Sequence, residues 1–382
     1  MKNLKQLIAA ALFCTMAAAH LTGQGCVAIR GASCGMNSTT FGNNFNLTKG
    51  QFMVGTGFRY FESFRHFRGD VEEHERIEHG TQVINDSYFL DLFVNYGITD
   101  RFFANINLPF AWHNRSSMYE HGGNPPNGLG ERHETSSSGL SDMRIGIGYW
   151  LVDPMKGKPF NYSVGLGLKL PTGNAAYEDL FYNQGENRDE DDYRVVDQSI
   201  QLGDGGTGLT VDLQGYHMLS HNFYLNATFY YLVNWQETNG VLTRNGRSEF
   251  SCPDQYAVRL GLFYNTPVPG LSLFGGGRIE GVPWNDLIGG SDGYRRPGYA
   301  VSVEPGISYA VGSFNFNFSV PIAVYRNRVQ SYQDKDRTEE TGVYRHGDAA
   351  FADYLINFSA AYFFGGKKHH TTMDSKPDLI ID

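Results

Sequence analysis

Phe223-Tyr224-Leu225-Asn226-Ala227-Thr228-Phe229-Tyr230-Tyr231-Leu232-Val233-Asn234-Trp235 is the stretch on which the fold turns. Phe223, Leu225, Ala227, Phe229, Tyr231, Val233 and Trp235 are all apolar or aromatic. The residues between them, Tyr224, Asn226, Thr228, Tyr230, Leu232 and Asn234, are mostly polar. A period of two held over a dozen residues is a strand whose faces meet two different solvents. Helical spacing does not fit it.

The same alternation returns along the chain. Tyr88, Leu90, Leu92, Val94 and Tyr96 stand against Asp91 and Asn95; Phe314, Phe316, Phe318, Val320, Ile322 and Val324 stand against Asn315, Asn317 and Ser319. Tyr354, Ile356, Phe358, Ala360, Tyr362 and Phe364 stand against Asp353, Asn357 and Ser359. Twelve strands can be placed, at 50–64, 86–98, 101–112, 140–152, 160–171, 207–219, 222–236, 254–266, 270–282, 298–310, 313–326 and 350–364. Each is roughly 11–15 residues long, where a soluble strand has about 5–6. A tilted strand that crosses a bilayer needs about 9–11.

Connections alternate between short turns, as at Thr99-Asp100, Ser220-His221 and Val311-Gly312, and long polar loops over 65–85, 113–139, 172–206, 237–253, 283–297 and 327–349. An even strand count with short turns at one end and long loops at the other describes an outer-membrane barrel. Aromatic residues gather at strand ends: Phe102-Phe103, Tyr149-Trp150, Phe223-Tyr224 and Phe263-Tyr264 near the short turns, Tyr60-Phe61, Trp112, Trp235 and Tyr325 toward the loops. Two such girdles suit the two bilayer interfaces. The expected fold class is all-β: a transmembrane antiparallel up-and-down β-barrel of about 12 strands, with short periplasmic turns and long external loops, in the bacterial outer membrane.

Composition agrees. The 382 residues carry a formal net charge of -9, which argues against a nucleic-acid partner. Gly 46, Tyr 23 and Phe 27 suit many strands and turns, and a mean hydropathy of -0.36 excludes a bundle of membrane helices. Lys2 and Lys5 precede the apolar run Leu7 to Ala19 and the small polar stretch 21–25, a signal-peptide pattern. The expected organisation is a signal peptide at 1–24, a periplasmic N-terminal segment or plug at 25–49, the barrel at 50–364 and a polar periplasmic tail at 365–382. Among the cysteines of the exported chain, Cys26 and Cys34 lie before the first strand and Cys252 in an external loop. The apolar band between them is about 25 Å tall. Linked Cα atoms sit about 4.4–6.8 Å apart. A Cys26–Cys34 disulfide with Cys252 free is the expectation, three free thiols the alternative.

Motif matches carry no chemistry. Gly203-Asp204-Gly205-Gly206-Thr207-Gly208 fits a dinucleotide fingerprint but opens a strand, not a helix. Gly31-Ala32-Ser33-Cys34-Gly35 fits a nucleophile elbow without strand–helix context. The acidic loop 172–206 lacks the glycine placement of a calcium loop; a solvated external loop is expected, weak divalent-cation binding the alternative. No cofactor and no metal site are expected. The alternation aims ten charges at the lumen: Arg59, Arg144, Lys169, Arg259 and Arg278 against Asp91, Asp212, Glu280, Glu304 and Asp353. Arg59 would pair with Asp91 and Asp353, and Arg278 with Glu304. Balanced charge implies weak ion selectivity, unless loops set the filter. Inward Gly55, Gly57, Gly146, Gly148, Gly165 and Gly167 would leave room for a conduit.

Tyr96-Gly97-Ile98-Thr99-Asp100-Arg101-Phe102, Leu108-Pro109-Phe110, the stretch Gly139 to Gly146 and LGLKLPTG at 166–173 resemble the meta-pathway phenol-degradation (transporter-like) family of outer-membrane barrels. The resemblance covers roughly residues 50–220. It implies passage of small solutes, hydrophobic or aromatic compounds among them, with outer-membrane lipids and a small-molecule solute as partners. It implies no catalytic residue. Two other readings stand beside the channel. One is a structural or adhesion-type barrel without an open pore. The other is an outer-membrane lipid hydrolase, for which His113-Asn114-Arg115-Ser116-Ser117 is the one tempting cluster, although it lacks the inward alternation of a triad.

Overall fold

The computed structural model describes residues 46–366. Backbone groups facing lipid find no water, so a sheet that crosses a bilayer must pair every edge. This chain does so with one closed antiparallel barrel of twelve strands. In order they are β1 (Gln51–Arg68), β2 (Ile84–Gly97), β3 (Phe102–Ser117), β4 (His133–Leu140 continued by Arg144–Trp150), β5 (Phe160–Lys169) and β6 (Gly208–Met218). There follow β7 (Phe223–Asn234), β8 (Gln255–Asn265), β9 (Leu271–Val282), β10 (Gly298–Val311), β11 (Phe314–Ser319 continued by Ile322–Asn327) and β12 (Ala349–Ala352 continued by Ile356–Gly365). Each strand pairs with its chain neighbours. The seam between β1 and β12 runs from Gln51↔Gly365 to Tyr60↔Ile356. β11 breaks where Pro321, which has no amide hydrogen, cannot continue the ladder. No helix among the described residues is long and apolar enough to cross a membrane; strands make the crossing.

The two faces separate as the alternation requires. Leu92, Ile106, Leu166, Leu260 and Val303 are exposed on the outer face, while their neighbours Asp91, Asn107, Arg259 and Ser302 are buried. Outward rings stack from strand to strand near the short turns: Phe52 on Tyr96 at 4.5 Å, Phe102 on Tyr149 at 4.5 Å, Phe223 on Tyr264 at 4.9 Å and Phe314 on Tyr362 at 4.8 Å. Tyr60 on Tyr88, at 4.7 Å, belongs to the loop side.

The sequence pairs Phe102-Phe103, Tyr149-Trp150, Phe223-Tyr224 and Phe263-Tyr264 do not enter the girdle whole. One ring of each points the other way: Phe103, Trp150, Tyr224 and Phe263 are buried inside. With Phe93 and Phe274 they make up the aromatic floor at the periplasmic end of the lumen, in three groups: Tyr224 with Phe263 and Phe274, Phe103 with Trp150, and Phe93 with Leu47 and Met53. Glycines make room for it. A Cβ on Gly55 would stand 2.6 Å from Phe93, and one on Gly276 equally close to Phe274. The inward glycines therefore serve side-chain packing as well as space: Asn105 lies over Gly146 and Thr210 over Gly167. Leu47 joins Met53 and Phe93, and Asn46 donates to the Tyr216 hydroxyl of β6 at 3.3 Å, so the chain ahead of β1 enters this end of the barrel. Residues 1–45, where the signal peptide and N-terminal segment are expected, and the tail from 367 lie outside the described residues.

Loop 172–206 is not solvated throughout. Its acidic part forms a hairpin, Glu178–Gln184 with Glu190–Val195. From Val196 onward it turns down into the barrel, burying Val196, Ile200 and Leu202; Leu202 packs against Phe61, Phe89, Ala111, Ala352 and Leu355. The apolar residues of that stretch, interrupting a polar loop, carry the inward fold.

A cation on the lipid face near the midplane costs about 2–4 kcal/mol. Ala227→Arg and Phe316→Arg should therefore give little folded barrel on refolding into vesicles, whereas Ala227→Leu and Phe316→Leu fold at wild-type yield. Equal yields in a gel-shift folding assay would refute the register.

Candidate functional site at the external mouth

Above the belt, the loops and the outer ends of β1, β3 and β12 enclose a cavity of about 550 Å³. The descending stretch 196–206 holds one side of it through Asp197. That carboxylate accepts both Arg296 amines, at 2.6 and 2.7 Å, and lies 3.6 Å from Arg115. Arg115, near the end of β3, donates to Glu120 at 2.8 Å, Asn85 at 2.9 Å and the Tyr119 hydroxyl at 2.9 Å. Burial alone would raise the Asp197 carboxyl; Arg115 and Arg296 overcome it and hold its pKa well below the usual range. Glu120 is likewise lowered, with Arg115 opposing burial. Across the cavity Asp348 takes His66 at 2.5 Å and Arg76 at 2.9 Å, which together outweigh burial and keep it ionised far into acid. Arg295 forms a fully buried bidentate pair with Asp286, at 2.6 and 2.5 Å.

Below the mouth, Lys169 of β5 is bound by Asp204 and lies 3.5 Å from Asp142, whose carboxylate also accepts the Gly173 amide at 3.0 Å. Cys252 is buried beside this cluster with a free thiol that donates to the Asp204 carbonyl at 3.1 Å; burial raises its pKa. Cys26 and Cys34 lie outside the described residues.

The remaining charges expected at the lumen are on its wall, but several partners differ. Arg259 takes Glu304 at 2.8 Å and lies over the Phe274 ring. Arg278 turns to Glu280, two residues along its own strand, at 2.6 Å, and not to Glu304. Asp353 binds Arg65 at 3.1 Å, toward the mouth; Arg59 lies lower on β1, opposite Asn357 of β12. Arg59 lies over Phe89, with buried Asp91 on the adjoining strand, and Arg144 faces Tyr230. Asp212 is half-buried on β6.

The five-against-five balance does not extend to the mouth. Eight arginines line the cavity, with four carboxylates: Glu120, Asp197, Asp334 and Asp348. Sequence reading missed these arginines because they are scattered over four loops and the end of β3, among many acids. The doublet Arg295-Arg296 was the available signal.

His113 faces inward after all, its Nδ1 2.9 Å from the Ser87 hydroxyl. Both are buried in the lumen wall, where no acyl chain of the outer leaflet reaches them. Among the described residues no group of three His, Cys, Asp or Glu side chains is placed to hold a metal ion.

A closed, lipid-belted barrel of this kind is a bacterial outer-membrane β-barrel. Residues 42–196 match the family model described as "Putative MetA-pathway of phenol degradation". That segment runs from just before β1 through the acidic hairpin. No curated protein matches the sequence. Solved structures similar to the chain include the CymD monoaromatic hydrocarbon channel, 12% identical over 90% of this chain and 98% of that one with a TM-score of 0.39. The P. putida toluene transporter TodX is 11% identical over 92% and 100%, with a TM-score of 0.40. The β domain of the Bordetella autotransporter BrkA is 12% identical over 81% and 100%, with a TM-score of 0.42.

His121 ties the acidic hairpin to the mouth. Its Nδ1 accepts the Tyr182 amide at 3.0 Å and its ring stacks on Phe181. Burial, reinforced by His133, lowers its pKa to about 4 against the pull of Glu120. A lowered histidine contributes its full stabilisation above its unfolded value, near 6.5, and loses it as pH falls toward 4. Hydrogen exchange over 178–195, corrected for intrinsic rate, should quicken between pH 6.5 and 4 in the wild type. In His121→Gln it should vary little over the same range. A flat wild-type profile would refute this account of the hairpin.

Proposed function

We propose that the chain is an outer-membrane passage protein for small solutes, small aromatic compounds among them, and not an enzyme. The observation that carries the reading is the mouth: a cavity of about 550 Å³ set over a lumen whose wall is polar and whose floor is aromatic. Rings at a constriction bind flat apolar solutes by their faces and retard hydrated ions. The polar wall above, built from Arg259–Glu304, Arg278–Glu280 and the Lys169 cluster, keeps the path wet. The family match over 42–196 supports the same reading. A structural or adhesion barrel would have no use for an aromatic floor matched by glycines.

The test is entry of a small phenol into vesicles with a lipopolysaccharide outer leaflet, with and without the barrel. Faster entry with the barrel is expected. Equal rates would overturn the reading in favour of a structural barrel. In planar bilayers the wild type should conduct ions weakly, and Phe263→Ala with Phe274→Ala should raise single-channel conductance several-fold. An unchanged conductance would show that the floor is not the constriction.

A further inference from the structure

We propose that the external mouth binds a small organic anion, an aryl carboxylate being the class its lining fits. This deepens the passage reading by naming the solute class that the mouth captures. Of the eight arginines on the cavity wall, five are held by carboxylates: Arg76 by Asp348, Arg115 by Glu120, Arg295 by Asp286, Arg296 by Asp197 and Arg328 by Asp334. All four lining carboxylates are consumed in these pairs. The other three arginines, Arg244, Arg247 and Arg337, make no ion pair among the described residues, so the cavity keeps cationic charge after every internal pair is formed.

Arg244 is the most constrained of the three. It stands at the turn joining Thr238–Leu242 to Glu249–Ser251, half-buried, its guanidinium 5.8 Å from the Tyr119 ring and 5.5 Å from Phe181. A guanidinium held beside rings can take a carboxylate through its planar N–H edge by two parallel hydrogen bonds. Arg337 projects from the helix Tyr332–Thr341, whose N-terminus is fixed by a Ser331–Asp334 capping box, and Arg247 from the same turn as Arg244. Rings stand among these cations: Tyr119, Phe250 and Tyr294 line the same space. A cation beside a ring face suits a ligand that is both flat and anionic. The acids of the hairpin 178–195 are not on the cavity wall. Lipopolysaccharide phosphate is the competing anion, but it would meet outward-facing cations, and these line a recess.

Isothermal titration of the full chain in neutral detergent, with benzoate and its neutral isostere benzamide, tests the proposal. Benzoate should bind at least about tenfold more tightly than benzamide, and sodium chloride should weaken it. Arg244→Gln and, separately, Arg337→Gln should each lower benzoate affinity severalfold, while Arg188→Gln on the outer hairpin leaves it unchanged. Heat-modifiable gel migration shows that each variant is folded, and Arg337, exposed on its helix, can be replaced without disturbing Tyr119. Equal affinity for benzoate and benzamide, or an Arg244→Gln–Arg337→Gln double variant that binds as the wild type does, overturns the proposal. Inorganic phosphate binding as tightly as benzoate overturns its aromatic part. Displacement of benzoate by lipid A vesicles at lower concentration than by free carboxylate assigns the cations to lipid instead. Binding is read without passage: a barrel that binds benzoate but speeds no solute entry loses only the passage reading, and the reverse result loses only this one.

Discussion

Lipid offers no partner to an amide, and the closure of β1 onto β12 follows from that alone. Once the sheet must close, its outer face has to be apolar over the height of the belt, and everything polar is driven to the lumen or the ends. The buried ladder of Arg259 with Glu304 and Arg278 with Glu280 is a consequence: charges confined to a narrow interior have to find one another. The glycines follow too, because twelve strands enclose too little room for rings on every inward position. Phe93 needs Gly55, and Phe274 needs Gly276.

Most of this architecture is legible in the sequence because a period of two in a strand between two solvents is a strong local signal. All twelve strands are found near where the alternation of Phe223 to Trp235 and its counterparts put them, but β1, β3 and β4 run further outward, with His133–Leu140 and the ends at Arg68 and Ser117 lying in stretches expected to be loop. The site is harder to read. Parity says that Arg278 points inward but not whether it meets Glu304 across the sheet or Glu280 along its own strand; that depends on rotamers and on neighbouring bulk. Register along the β1–β12 seam sets Arg59 opposite Asn357, and Asp353, nearer the mouth, meets Arg65. Strand parity likewise divides Phe102 from Phe103 and Tyr149 from Trp150, so aromatic doublets that read as girdle are half girdle and half floor.

Loops defeat periodicity altogether. Loop 172–206 is dominated by acids, yet Val196, Ile200 and Leu202 fold it into the barrel, and Asp197 gathers Arg115 and Arg296 from distant segments. Total charge misleads for the same reason. A chain of net charge -9 carries a mouth lined by twice as many arginines as carboxylates, since its acids are spent on the outer hairpin and on ion pairs. Charge per chain governs solubility; charge per cavity governs what enters it.

The segregation of faces also gives the molecule four intrinsic optical reporters in distinct surroundings. Trp112 and Trp235 project outward at the external rim, 42% and 49% exposed. Trp150 is sealed into the lumen floor at 2%, and Trp284 sits in the β9–β10 loop beneath the Lys335 ammonium, 3.1 Å from its ring. A quencher carried on lipid tails meets the first two, and one dissolved in water meets the last. Trp150 is hidden from both until the sheet opens, so emission separates insertion, loop closure and barrel closure without any added label.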